Sequence, residues 1–181
     1  MDNLVLVGFS CSGKTTLGRN LARRLRLRFV DTDRLIEEMA GRSIPEIFGD
    51  GGEAAFRAYE REAIARIMAE TQQVVSTGGG AFVDPENRRR LRDGNLVIHL
   101  QVQPETVVDR LRNSKSGRPR PMLDAPDPLQ RVEELMAERR EAYAQAHVTI
   151  GVDNRSRYEL VGELTRRWFG WRRSRRQAAA S

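Results

Sequence analysis

Short, mainly apolar runs alternate along the chain with longer stretches in which apolar residues recur every three or four positions. The first run, residues 4–7 (L-V-L-V), has the length of a buried strand. Residues 29–30, 74–77, 96–100 and 147–150 continue the series and predict four more strands. After the first run, Leu17, Leu21 and Leu25 recur every four residues while Arg19, Arg23 and Arg24 fall elsewhere, the pattern of an amphipathic helix. Leu35, Ile36 and Met39 predict a short helix that Gly41 ends. Ser43-Ile44-Pro45-Glu46 is a capping box with Pro in the first helical turn. Gly49, Gly51 and Gly52 then turn the chain into a long helix over 53–70. Further helices are predicted from Asp84-Pro85, from Pro104 to about 112, over 129–146, and from the Ser156/Glu159 capping box to about 169.

Strands alternating with helices predict a three-layer α/β/α fold around a five-stranded parallel sheet. Two or three helices separate the second and third strands, where a plain crossover needs one. The chain therefore reads as a single domain with core 1–32, 72–111 and 127–170, and an inserted substrate-binding lobe at 33–71. Four of the seven prolines lie between 119 and 128, so residues 112–126 form an irregular loop, read as a lid. The excess charge of +6 is local: after Glu163 there is no acid and six arginines follow, whereas residues 1–163 hold 25 basic and 25 acidic residues. Residues 164–181 are thus expected to be a solvated basic tail. No apolar run approaches the ~18 residues of a membrane span. Cys11 is the only cysteine, and the first strand leaves no room for a signal peptide, so a cytoplasmic protein is expected.

Residues 8–15 read G-F-S-C-S-G-K-T, which fits G-x-x-x-x-G-K-[ST] between a strand and a helix. The glycines let successive N–H groups turn inward on a phosphate, and the helix N-terminus adds partial positive charge. The loop residues Gly8, Ser10, Cys11, Ser12, Gly13, Lys14, Thr15 and Thr16 would hold the phosphates of ATP, with Lys14 on the β- and γ-phosphates and Thr15 on Mg²⁺. Only Lys14 and Lys115 are lysines, against 29 arginines, so a compact ammonium is being spent here.

Ligands in open α/β sheets bind beyond the carboxyl ends of the strands. Asp31 and Asp33 fall at one such end and Gly78-Gly79-Gly80 at another. Two apart in an extended segment, the aspartates would point the same way, one toward Mg²⁺ opposite Thr15 and one toward the proton of an attacking hydroxyl. The glycines would let a small polar ring approach the backbone. Arg57 offers a fork for a substrate carboxylate, and Arg118 and Arg120 offer cations on the loop that could close over a transferred phosphoryl group. His99 and His147 lie in strands and read as structural.

Further blocks sharpen this reading: F-V-D-T-D-R-L-I-E, G-R-S-I-P-E-I-F, G-E-A-A-F-R, S-T-G-G-G, R-P-M-L and R-R-E-A-Y. With the phosphate loop they make the chain resemble the shikimate kinases, P-loop enzymes of the nucleoside-monophosphate-kinase type, over about residues 4–160. The resemblance implies transfer of the ATP γ-phosphate to the 3-hydroxyl of shikimate, in the route to chorismate and the aromatic amino acids. It implies Asp33 as base on the ring hydroxyls, Asp31 toward Mg²⁺, Arg57 and Arg139 on the shikimate carboxylate, and Gly78, Gly79 and Gly80 along the ring. Arg120, which directly precedes P-M-L, would be the lid arginine, and Arg110, Asn154 and Arg155 would face the adenine. A monomer is expected. Two features depart from the family pattern: Cys11 stands where Gly or another small residue is usual, and R-P occurs twice in the lid, so Arg118 could share the role of Arg120. A gluconate-type or nucleotide kinase shares the loop but lacks the triple Gly and the D-T-D block. A GTPase would need an N-K-x-D lysine, and Lys115 has Ser114 before it. A nucleic-acid-binding protein using the tail would reveal itself by salt-dependent DNA binding.

Overall fold

Every residue of Leu4–Val7 is buried on both faces, which is why the first strand (β1) shows no alternation. Leu4 and Leu6 face one core cluster with Leu17, Leu21, Ile98, Val107 and Leu164. Val5 and Val7 face a second cluster with Ile64, Ile67, Phe82 and Leu91. The structure is a computed structural model that describes residues 2–113 and 126–178. Besides β1 the sheet contains β2 (Arg28–Asp31), β3 (Gln73–Ser76), β4 (Leu96–Gln101) and β5 (Val148–Gly151). All neighbours pair in parallel, in the order β2-β3-β1-β4-β5. The helices are α1 (Lys14–Leu25), α2 (Thr32–Ala40), α3 (Ile44–Met68), α4 (Pro85–Arg92), α5 (Pro104–Arg112), α6 (Pro128–Tyr143) and α7 (Arg157–Ala178). The five-stranded parallel sheet and its helical layers are those the sequence predicts.

The chain leaves β1 through the Gly8–Gly13 loop and reverses strand order at β1, so the sheet opens a crevice at the carboxyl ends of β1 and β3. On one side of that crevice α2 and α3 pack on each other around their own small core of Ile36, Ile47, Phe56 and Ala63. Within α3 the backbone breaks at Gly52, whose φ of 66° interrupts helical geometry, so the glycine turn is a kink inside one element. The Ser43/Glu46 capping box forms at its start.

Several boundaries differ from the sequence reading. β2 runs one residue past the expected 29–30 to Asp31, and α2 begins at Thr32, inside the D-T-D block. The last helix does not stop near residue 169. α7 continues to Ala178 and carries the arginines with it, so the described part of the basic segment is helical rather than a loose terminus. Trp168 is buried at 1% exposure and stacks on Trp171, with ring centroids 5.7 Å apart. Arg172 lies over Trp168 and Arg175 over Trp171, 5.5 and 5.1 Å from the ring centroids, and Arg172 pairs with Asp2 at 3.6 Å. Cation–π contacts thus tie Arg172 and Arg175 to the tryptophans, while Arg166, Arg167, Arg173 and Arg176 are exposed. Among the described residues no helix is long and apolar enough to cross a membrane.

Candidate active site

Lys14, Thr15 and Thr16 open α1, whose cap residue Gly13 has φ 90° and supplies no side-chain acceptor. The first N–H groups of α1 therefore face the loop without a side-chain cap, as an anion site requires. Lys14 is 8% exposed, and its ammonium donates to the carbonyls of Gly8 and Phe9 at 2.8 and 2.7 Å. Cys11 has φ 63°, the left-handed region that a β-carbon disfavours, so the residue that departs from the family pattern occupies a strained position. Its carbonyl accepts Arg110 Nη1 at 2.8 Å, which brings α5 to the loop rim.

Asp31 and Asp33 do not share an extended segment. Asp31 ends β2 and caps α2, its Oδ1 accepting the Asp33 N–H at 3.2 Å, while Asp33 sits inside the first helical turn. Aspartate favours such a cap, which moves the helix start into the D-T-D block. The consequence is a division of position. Asp31 Oδ2 accepts the Thr15 hydroxyl at 2.8 Å, and Thr15 Oγ1 lies 3.3 Å from Ser76 Oγ. Asp33 instead reaches Gly78, where an added β-carbon would lie 2.7 Å from Asp33 Oδ1. Thr32, between them, is fully buried and accepts the Gly78 N–H at 2.8 Å, tying α2 to the glycine turn.

Arg57 donates from Nη1 to Glu60 Oε2 at 2.8 Å and from Nη2 to Glu53 at 2.9 Å. Burial works against its charge, but the Glu60 carboxylate and the bonds to Glu60 and Glu53 hold its pKa above the ordinary arginine value. Glu60 is 1% exposed, and among the described residues its Oε1 has no hydrogen-bond partner. Burial raises its pKa, the Arg57 charge opposes this, and Asp33 and Asp84 add to the rise. A β-carbon at Gly80 would meet Arg57 Nη2 at 2.8 Å, so a larger residue here would push this guanidinium aside. Arg139, from α6, is 7% exposed; its Nη1 donates to the Gly79 carbonyl at 3.2 Å, and its guanidinium lies 5.2 Å from the Phe9 ring centroid.

One cleft of about 1070 Å³ unites these parts. It is lined by Ser10 to Thr16, Asp31, Asp33, Arg57, Gly78 to Gly80, Arg110, Arg139 and Arg155. Gly8 lies behind the loop, where it packs against the Leu100 carbonyl. Arg155 is held by Glu163 at 2.7 Å. Asn154 is not among the lining residues. Residues 114–125 of the lid, with Arg118 and Arg120, lie outside the described residues. The sequence reading gave no role to Glu60, Ser76 or Tyr143. Glu60 stands three residues after Arg57 on the same helix, a spacing that signals a pair. Ser76 opens the S-T-G-G-G block and Tyr143 ends the R-R-E-A-Y block, so a local signal marks both, but it does not name their partners.

A sequence model described as "Shikimate kinase" matches residues 10–168. The shikimate kinase of Symbiobacterium thermophilum is 51% identical over 163 residues, covering 90% of this chain and 93% of its own. The chain belongs to the shikimate kinase family. As a member it is an ATP-dependent phosphotransferase, and the fold class and the function expected from the sequence hold. The solved shikimate kinase of Acinetobacter baumannii in complex with shikimate superposes with a TM-score of 0.84 at 34% identity, covering 90% of each chain. A gluconokinase from Sinorhizobium meliloti covers 96% of this chain and 97% of its own, with a TM-score of 0.60 at 14% identity, and shares the fold alone.

His99, on β4 beneath the phosphate loop, is structural in a way that acid should expose. Its ring stacks on Tyr143 with centroids 4.6 Å apart, and its Nδ1 lies 3.4 Å from Thr149 Oγ1. Burial, with the Lys14 charge behind it, pushes its pKa down to about 4. The unfolded chain then binds the proton more readily, so the neutral ring's contribution is complete above about pH 6.5 and is lost as the pH falls toward 4. Allowing for its partial exposure, the loss is about 2 kcal/mol. His99→Phe keeps the stack and removes the titration. Denaturant unfolding at pH 7 and pH 4 should show the wild type losing about 2 kcal/mol more than the variant. Equal losses would refute the assignment.

Proposed function

We propose that this enzyme transfers the γ-phosphate of ATP to the 3-hydroxyl of shikimate, giving shikimate 3-phosphate and ADP on the route to chorismate. The observation that carries this reading is the sharing of one cleft by a phosphate loop and by an acceptor pocket built from Asp33, Arg57, Arg139 and the glycine turn. The relative of known structure that holds shikimate supports the choice of acceptor. Arg57 and Arg139 hold the carboxylate of the acceptor, and Gly78, Gly79 and Gly80 let the ring lie on the backbone. Asp33 takes the proton of the attacking hydroxyl as the new O–P bond forms and the bond to ADP breaks. The loop amides and Lys14 hold the triphosphate, Arg110 and Arg155 border the adenine, and Arg120 from the lid meets charge on the transferred group.

Thr15 Oγ1, Asp31 Oδ2 and Ser76 Oγ form a cluster of hard oxygen donors that suits Mg²⁺, an ion that takes one or two protein ligands beside phosphate oxygens and water. When bound there, the ion would supply positive charge against the phosphates, held by Thr15, Asp31 and Ser76. The enzyme is read as a monomer. Residues 33–71 serve as the substrate lobe and residues 112–126 as the lid. The single cysteine fits a cytoplasmic enzyme.

The test is ATP consumption with shikimate, gluconate and nucleoside monophosphates in parallel. Only shikimate should support turnover. Cys11 tests the nucleotide half separately. Its place in the lining of the phosphate loop predicts that Mg·ATP slows its alkylation at least tenfold while shikimate alone leaves the rate unchanged, read by mass spectrometry. An unchanged rate with saturating Mg·ATP would place the nucleotide elsewhere.

A further inference from the structure

Tyr143 lies one helical turn beyond Arg139 on α6, and its ring is 5% exposed. Its hydroxyl donates to the Gly79 carbonyl at 2.5 Å, the oxygen that also accepts Arg139 Nη1 at 3.2 Å. Two donors from one helix thus fix one carbonyl of the glycine turn. In a trans peptide the carbonyl of residue 79 and the N–H of residue 80 lie in one plane and point opposite ways. A Gly79 carbonyl drawn onto α6 therefore turns the Gly80 N–H away from α6. The rest of the turn is bonded: the Gly78 N–H is on Thr32, and the Gly78 and Gly80 carbonyls accept the Ala81 and Val83 N–H groups. Among the described residues the Gly80 N–H has no acceptor, and Gly80 packs against the Arg57 guanidinium.

We propose that Tyr143 is a positioning residue for the acceptor: its hydroxyl, with Arg139, sets the plane of the Gly79–Gly80 peptide and so presents the Gly80 N–H to the substrate beside Arg57. This rests on the reading that the glycine turn meets the acceptor ring. The ring stack on His99 gives the hydroxyl its fixed origin, because His99 lies directly under Gly8. Burial raises the Tyr143 pKa to about 12, so the hydroxyl remains a donor at neutral pH. A tyrosine that only fills the core would lend stability without favouring one substrate over the other.

The test is Tyr143→Phe, which keeps the ring, its stack and its volume. The half-saturating shikimate concentration should rise about tenfold, as expected for one lost bond to a buried carbonyl, while that for ATP stays within about twofold. Equal changes for both substrates, or no change for shikimate, would overturn the proposal. A second measurement needs no variant. In the wild type, saturating shikimate should slow hydrogen exchange at the Gly80 amide at least tenfold and leave the Gly78 amide, already bonded to Thr32, unchanged; an unaffected Gly80 amide would overturn the proposal. If the wild type does not consume ATP with shikimate, the acceptor assignment itself fails. If it does and Tyr143→Phe matches it, only the role of Tyr143 fails.

Discussion

Asp33→Asn should reduce turnover by on the order of 10²–10⁴ while ATP affinity stays within about twofold of the wild type. Asparagine keeps the size of the side chain, and the first turn of α2 remains capped by Asp31. What it loses is the ability to take a proton from the acceptor hydroxyl. Asp33 suits this role because it faces Gly78 in the proposed acceptor pocket, whereas Asp31 is committed to the Thr15 hydroxyl. Asp31→Asn should therefore act differently, raising the Mg²⁺ concentration needed for half-maximal rate. Steady-state rates at saturating shikimate, with nucleotide affinity by calorimetry, separate the two variants. A wild-type rate for Asp33→Asn would remove it as the base. Glu60 is then the carboxyl to test, since it is buried in the same pocket with a raised proton affinity.

Arg57→Ala should show two losses that a second substitution pulls apart. The first is substrate affinity: removing one fork from the acceptor carboxylate should weaken shikimate binding roughly 10²-fold with ATP binding nearly intact. The second is stability. The Arg57 side chain is 21% exposed and that of Glu60 1%, so deleting the guanidinium leaves a buried carboxylate without its cation, at a cost of about 3 kcal/mol. The folded-state pKa of Glu60 is already above its ordinary value and would rise further. The folded state would then hold a proton that the unfolded chain releases, so this variant should be most stable at low pH and lose stability as the pH rises from about 4.5 upward. Adding Glu60→Gln should restore most of the stability at pH 7 and none of the shikimate affinity. Arg139→Ala should share the affinity loss. If these variants lost ATP affinity as severely as shikimate affinity, the arginines could not be acceptor ligands.

The parts of this enzyme that sequence alone determines are those whose causes lie within one short stretch. The phosphate loop needs a strand, two glycines, a lysine and a hydroxyl in thirteen consecutive residues, and all of them are contiguous. The strands follow from apolar runs whose alternate residues enter opposite cores, as Leu4 and Leu6 do against Val5 and Val7. Family motifs pointed to the proposed acceptor residues in the same local way. The D-T-D block marks the limit: its chemistry was legible, but one cap hydrogen bond moved the helix start and sent the two carboxylates to different partners. Past that limit tertiary structure decides. Ser76 reaches Thr15 only because β3 lies beside β1, and Tyr143 reaches Gly79 across 64 residues only because α6 packs over the end of the sheet. Arg172 and Arg175 read as solvated charge until Trp168, Trp171 and Asp2 are placed beside them. A charge or hydroxyl at one position has the same composition signal whether it meets water or a buried partner. The partner, which strand order and helix packing bring from far along the chain, fixes the role.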